Sequence, residues 1–218
     1  MAKKMCFIYD KNKIYKEEIV DYEFFKGFSP IQRKKNVISL HNSLREKYPN
    51  KNILEISTKS NCELGIKLSA FNLKLNGNYI ESIFQSSKVF ENNECFDFLI
   101  DFSPLDAKRF IKEQCKDRKI KYFKYLGTKY PINPQTAFYD YIYCKALLEN
   151  KEFHKDLINY EIITDIEFNH KTSINCQARA CLIFIYLLKN DKLYFLDNFD
   201  KFIELYDVVN KSEQMSLF

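Results

Sequence analysis

Tight turns are scarce in this sequence: its 218 residues include only four glycines and five prolines. That scarcity disfavours an all-β sandwich, in which many short strands each need a turn, and leaves helices as the main element. Histidine is also rare. The three present (His41, His154, His170) lie outside any cluster of ligand-type side chains, and each reads as a surface residue. The seven cysteines (Cys6, Cys62, Cys95, Cys115, Cys144, Cys176, Cys181) are odd in number and widely spaced, with no Cys-x-x-Cys pair. This argues against a disulfide framework and against a zinc site. Long apolar runs are missing as well. The longest, 180–188, is about half a membrane span, and the opening residues hold no stretch long enough for a signal peptide. The expectation is a soluble, cytoplasmic protein with no membrane contact and no metal.

What the chain does have is apolar and aromatic weight: 46% apolar residues, with 20 Phe and 15 Tyr. Such a composition packs a core and excludes disorder. The net charge of +5 (34 basic residues against 29 acidic) is spread along the chain. It fits ordinary solubility, or a phosphate-bearing or nucleic-acid partner. No repeat, low-complexity tract or linker interrupts the sequence, so a single domain over 1–218 is expected. Short strands are expected at 4–9 and 18–25, and Ser29-Pro30 opens a helix running to about Lys47. Residues 53–57 and 66–75 alternate as strands do, and Asn76-Gly77-Asn78 is a turn. Ser103-Pro104 caps a helix ending near Cys115. A strand follows over 120–127, and Asn133-Pro134 caps a helix to Glu149. Residues 157–168 read as a short helix and loop, 176–188 as a buried helix, and 198–209 as an amphipathic end.

The most informative segment is 80–90. Read as a helix over 81–90, it places Glu81, Phe84, Gln85 and Lys88 on one face. Glu81 and Lys88 then lie roughly 10 Å apart along the axis. Ile80, Ile83, Val89 and Phe90 surround this polar seam with apolar side chains. A carboxylate and an amine in such a setting are costly unless they pair or do chemistry. From the spacing alone the two also fit solvated surface charges. Asp165 and Glu167 likewise read as loop charges or as acids of a site, and Tyr139 and Asp140 as structural residues of their helix.

Several ordered motifs are similar to a known family. They are Ser69-Ala70-Phe71-Asn72, Glu81 to Lys88, Ala107-Lys108-Arg109, and Thr164-Asp165-Ile166-Glu167-Phe168-Asn169. This series resembles the NADAR superfamily, also called YbiA-like. Further stretches resemble its branch of antitoxins encoded beside DarT-type DNA ADP-ribosyltransferases. These are Phe25-Lys-Gly-Phe-Ser29, Leu54-Glu-Ile-Ser57, Leu64 to Leu73, Phe84 to Phe90, Thr136-Ala-Phe-Tyr-Asp140 and Ser173-Ile-Asn-Cys-Gln-Ala178. The resemblance covers about 20–188 and leaves 189–218 as a helical C-terminal extension. It implies a mainly α (α+β) fold, a helical domain with a small β element in the N-terminal half. One departure stands out. Typical YbiA-like chains end the late motif in Asp-x-x-Trp-Gly, whereas this sequence has no tryptophan, and Asn175 occupies that region.

The resemblance implies an N-glycosidase that removes ADP-ribose from guanine bases in DNA, with ADP-ribose as product and a DNA ADP-ribosyltransferase toxin as functional partner. It implies no cofactor. Cleaving an N-glycosidic bond needs a proton donor or acceptor near the ribose and stabilisation of an oxocarbenium-like C1. A buried lysine with a depressed pKa can attack C1 and form a Schiff base with the opened sugar. On this resemblance Lys88 is the expected nucleophile and Glu81 the proton shuttle. Asp165 and Glu167 assist or bind the ribose. Ser69, Phe71, Asn72, Phe84, Gln85 and Asn175 are expected to bind ligand, with Phe71 stacking on a base. Arg45 and Arg109 are further candidates for the pyrophosphate. Two other readings compete: a YbiA-type N-glycosidase acting on riboflavin-pathway intermediates, and a non-enzymatic module that binds ADP-ribose or DNA. The segments outside the core favour DNA, because a small-molecule hydrolase needs less surface.

Overall fold

A computed structural model describes residues 1–27 and 29–206. The chain opens with a hairpin of β1 (Ala2–Asp10) and β2 (Ile14–Tyr22). The Asp10 carboxylate closes its turn by accepting from the Asn12 and Lys13 amides. Helix α1 (Pro30–Lys47) follows, with the Ser29 hydroxyl accepting from the Gln32 amide as the Ser-Pro pair predicts. Next come β3 (Ile53–Glu55), α2 (Glu63–Lys67), the small hairpin β4 (Lys74–Leu75) and β5 (Asn78–Tyr79), α3 (Ile80–Ser86) and β6 (Lys88–Phe90). The remainder comprises α4 (Pro104–Gln114), β7 (Ile120–Tyr125), β8 (Thr128–Tyr130), α5 (Ala137–Glu149), α6 (His154–Leu157), β9 (Ile162–Thr164) and α7 (Gln177–Lys189). Residues 199–206 are again helical.

The fold is therefore mixed α and β. The main sheet has the order β2-β1-β9-β3, with β9 antiparallel to β1 and parallel to β3. Alternation along its strands separates two apolar layers. Phe7, Leu54 and Ile163 face the larger core with α5 and α7. Cys6, Ile8 and Ile162 face Val37, Leu40 and Leu44 of α1. Helices α5 and α7 are buried on nearly every side, as their predominantly apolar and aromatic sequences require. A second sheet, β6-β7-β8, carries a smaller cluster in which Phe90 packs with Leu99, Ala107 and Ile111.

Four local expectations need correction. The stretch 66–75 is strand only at its last two residues, β4. Helix α2 occupies its start, and Ser69 and Asn72 then curl the chain by donating side-chain hydrogen bonds to the Ile66 carbonyl. The segment 81–90 is not one helix. The Ser86 and Ser87 hydroxyls both donate to the Ile83 carbonyl, α3 stops, and Lys88 begins a strand paired opposite Phe123. Helix α5 starts at Ala137 rather than at Asn133-Pro134, because Pro134 belongs to a turn that accepts the Ala137 amide. Finally, 157–168 contains β9, a three-residue strand whose identity comes from pairing on both edges. Of the expected C-terminal extension, 207–218 lies outside the described residues.

Candidate active site

A cleft of about 550 Å³ opens between α3, the loop after β9, the start of α7 and the near face of α4. Helix α3 brings Glu81, Phe84 and Gln85 to its wall, all nearly buried. Ser69, Ala70 and Phe71 join from the turn after α2. Asp165, Glu167 and Phe168 come from the turn after β9, and Asn175 and Gln177 from the approach to α7.

A hydrogen-bonded row crosses this wall. The Lys88 ammonium donates to Gln85 Oε1 at 2.6 Å, and Gln85 Nε2 donates to Glu81 Oε1 at 2.8 Å. On the far side of Glu81, the Lys108 ammonium of α4 lies 3.5 Å from the same oxygen and 5.4 Å from the centre of the Phe71 ring. The Lys88 amine also sits over the Phe84 ring at 4.7 Å. Burial pulls its pKa down to about 8, against the pull of the nearby Glu81 charge.

The acidic loop is held from beneath. Glu55, at the buried end of β3, accepts from the Ile166 amide at 2.8 Å and from the Thr164 hydroxyl at 2.6 Å. The Thr164 hydroxyl also meets His41 Nε2 at 3.0 Å, and burial pushes that imidazole down to about 4. Lys4 of β1 donates to the carbonyls of Ile166 and Phe168 at 2.8 and 2.6 Å. Asp165 Oδ1 accepts from the amides of Glu167 and Phe168, which turns the loop back on itself. Burial, and then the neighbouring Glu55 carboxylate, push the Asp165 carboxyl up to about 7. Gln177 ties the two halves of the wall together. Its Oε1 accepts from the Ala70 amide at 2.7 Å and its Nε2 donates to the Ile56 carbonyl at 2.8 Å.

Of the residues singled out from the sequence, Glu81, Asp165, Glu167, Ser69, Phe71, Phe84, Gln85 and Asn175 share this cleft. Two do not line it. Lys88 stands behind Gln85, and the Asn72 amide is spent on the Ile66 carbonyl and the Ser69 hydroxyl. Arg45 and Arg109 lie elsewhere, paired with Asn42 and Asp106. Tyr139, read as a structural residue, forms part of the wall, edge-on to Phe84 at 5.2 Å. Lys4 carries no local signal, and Glu55 and Gln177 are visible only as members of the motifs at 54–57 and 173–178, since their roles depend on contacts over a hundred residues away. Lys108 is visible in the sequence only as a member of the Ala-Lys-Arg motif.

Among the described residues, no group of three or more His, Cys, Asp or Glu side chains is placed to hold a metal ion. None of the described helices is long and apolar enough to cross a membrane. No curated protein matches the sequence. The family model for DarT1-associated NADAR antitoxins matches residues 2–216. With nearly the whole length matched, the chain belongs to the family of DarT1-associated NADAR antitoxins.

Proposed function

We propose that this chain is an N-glycosidase that removes ADP-ribose from guanine bases in DNA, reversing the modification made by a DNA ADP-ribosyltransferase toxin. The observation that carries the reading is the gathering of two nearly buried carboxylates, Glu81 and Asp165, in one cleft with an aromatic face and an ammonium group. Leaving-group departure from C1 needs a proton for the guanine nitrogen, and Asp165, held near neutrality in its proton affinity, is suited to give it. In this reading Glu81 takes a proton from an attacking amine and returns it to the ring oxygen as the sugar opens. The route uses a lysine beside Glu81, expected from the sequence at Lys88, to form a Schiff base at C1. Phe71 offers a face for a base, and Ser69, Asn175 and Glu167 offer hydrogen bonds to sugar hydroxyls.

The test is direct. The purified chain is incubated with a single-stranded oligonucleotide carrying ADP-ribosylated guanine, and released ADP-ribose is measured against the unmodified strand and against Glu81→Gln. Release by the wild type, with Glu81→Gln slower by about 10²–10⁴-fold at an unchanged melting temperature, supports the reading. Binding without release would favour the non-enzymatic module. Release from small riboflavin-pathway intermediates in place of DNA would favour the YbiA-type activity.

A further inference from the structure

We infer that the amine attacking C1 belongs to Lys108 on α4, and that Lys88 is a positioning residue acting through Gln85. The inference rests on the glycohydrolase reading and assigns its nucleophile. Two lysines stand on either side of Glu81, Lys108 directly and Lys88 through Gln85, and they differ in their access to the cleft. Lys108 lines the cleft, with about half of its side chain exposed. Its ammonium has a carboxylate at 3.5 Å to receive its proton and no other ion pair among the described residues. Lys88 does not line the cleft. Its amine is enclosed between the Phe84 ring and Gln85 Oε1. For Lys88 to reach a sugar, the Gln85 amide must leave its place, breaking both the 2.6 Å and the 2.8 Å hydrogen bonds.

The same geometry gives Lys88 a role. An amide presents an acceptor at one end and a donor at the other, and a cation bonds only the acceptor. The Lys88 ammonium therefore fixes the Gln85 amide with Nε2 towards Glu81 Oε1. That bond and Lys108 converge on one oxygen, so the carboxylate is aimed at the cleft-side amine. Helix α4 is itself fixed: Ser103 caps its start, and Ala107 and Ile111 pack on Phe90 and Leu99.

The step balances as follows. Lys108 gives its extra proton to the Glu81 carboxylate, and the neutral amine forms a bond to C1. The C1–guanine bond breaks, and the guanine nitrogen takes the proton of Asp165. The new secondary ammonium returns a proton to Asp165. Its lone pair then expels the ring oxygen, which takes the proton held by Glu81, leaving a protonated imine between C1 and Lys108. Water adds to C1 and loses a proton to Glu81, which passes it to the nitrogen. The C1–N bond breaks, the hydroxyl proton ends on the amine, and the free aldehyde form of ADP-ribose departs.

The test is reductive trapping on the full chain. Wild type, Lys108→Arg, Lys88→Met and Lys88→Arg are each given the ADP-ribosylated oligonucleotide with cyanoborohydride. ADP-ribose release is timed, melting curves are recorded, and adducts are mapped by peptide mass spectrometry. The expected adduct lies on Lys108. Lys108→Arg keeps the charge and the melt but loses the adduct and at least about 10³-fold in rate. Lys88→Met still gives the Lys108 adduct, with kcat down about 10- to 100-fold and KM within about twofold. Lys88→Arg restores most of that loss, because a cation again meets Gln85. An adduct on Lys88 overturns the assignment, as does full turnover by Lys108→Arg. Release of ADP-ribose with no adduct on any lysine overturns the covalent assignment while the glycohydrolase reading stands. A wild type that releases no ADP-ribose fails both.

Discussion

The turnover rate should fall as pH rises through about 7, and the cause is the Asp165 carboxyl. Burial and the neighbouring Glu55 push its pKa up to about 7. If it supplies the proton to the departing guanine, only its protonated form is active. A group with that pKa is about nine-tenths protonated at pH 6 and about one-tenth at pH 8, so kcat should drop roughly tenfold between them. The charges facing Asp165 from the packed elements are Glu55 on β3 and Lys4 on β1. They act in opposite senses, which makes the attribution testable. Glu55→Gln removes a negative neighbour, eases ionisation and moves the falling limb to lower pH. Lys4→Met removes a positive neighbour and moves the limb to higher pH. The assay is ADP-ribose release under saturating substrate from pH 5.5 to 9, with a melting curve at each end. A flat profile between pH 6 and 8 would refute the donor role, as would limbs moving the same way in both variants.

Two further perturbations test the framework around the cleft. Arg179→Met leaves Asp140, fully buried on α5, with only the Thr136 and Tyr206 hydroxyls among the described residues after losing its 3.1 Å ion pair. The expected cost is about 3–5 kcal/mol, or roughly 6–20 °C in Tm, partly recovered by adding Asp140→Asn; a change below about 1 kcal/mol would contradict the pair's role. Gly65→Ala places a Cβ 2.0 Å from the Glu55 carbonyl oxygen, so the backbone of β3 or α2 must move. A loss of about 1–3 kcal/mol in a denaturant melt is expected, with slower turnover because Glu55 carries the Asp165 loop; an unshifted midpoint would show the contact to be relieved elsewhere.

The parts legible in the sequence are those where a local signal coincides with the structural cause. Ser29-Pro30 and Ser103-Pro104 carry their own caps, and α1 and α4 begin where those pairs stand. The unbroken apolar run near 180 is a helix because no strand-length alternative fits it. Strand β9 escapes because three residues hold no period, and its partners lie more than a hundred residues away. The end of α3 escapes because two serines turn their hydroxyls inward on one carbonyl, a choice no spacing reveals. Within the site, Glu81, Phe84 and Gln85 share a helix face as their spacing predicts. Lys88 lies two residues past the end of the helix, and so falls behind Gln85 instead of beside it. The approach of Lys108 to Glu81 depends on how α4 leans on α3, which no local pattern encodes.

The central place of β9 has a consequence for how the chain is made on the ribosome. Strand β1 emerges first and pairs with β2, but its other edge waits for Ile162 and Ile163, and the Lys4 amine waits for the carbonyls of Ile166 and Phe168. The wall is tied together only when Gln177 arrives to join Ala70 and Ile56. At about 5–20 residues per second, the interval from residue 10 to residue 177 is roughly 8–33 s. Throughout it the nascent hairpin shows an unpaired edge and the apolar face of Phe7, the kind of surface that holdase chaperones grip. Loop-closure entropy adds little to so long a wait, since it grows only with the logarithm of the separation. The site thus has no early, partial form: its wall closes only after residue 177 has been made.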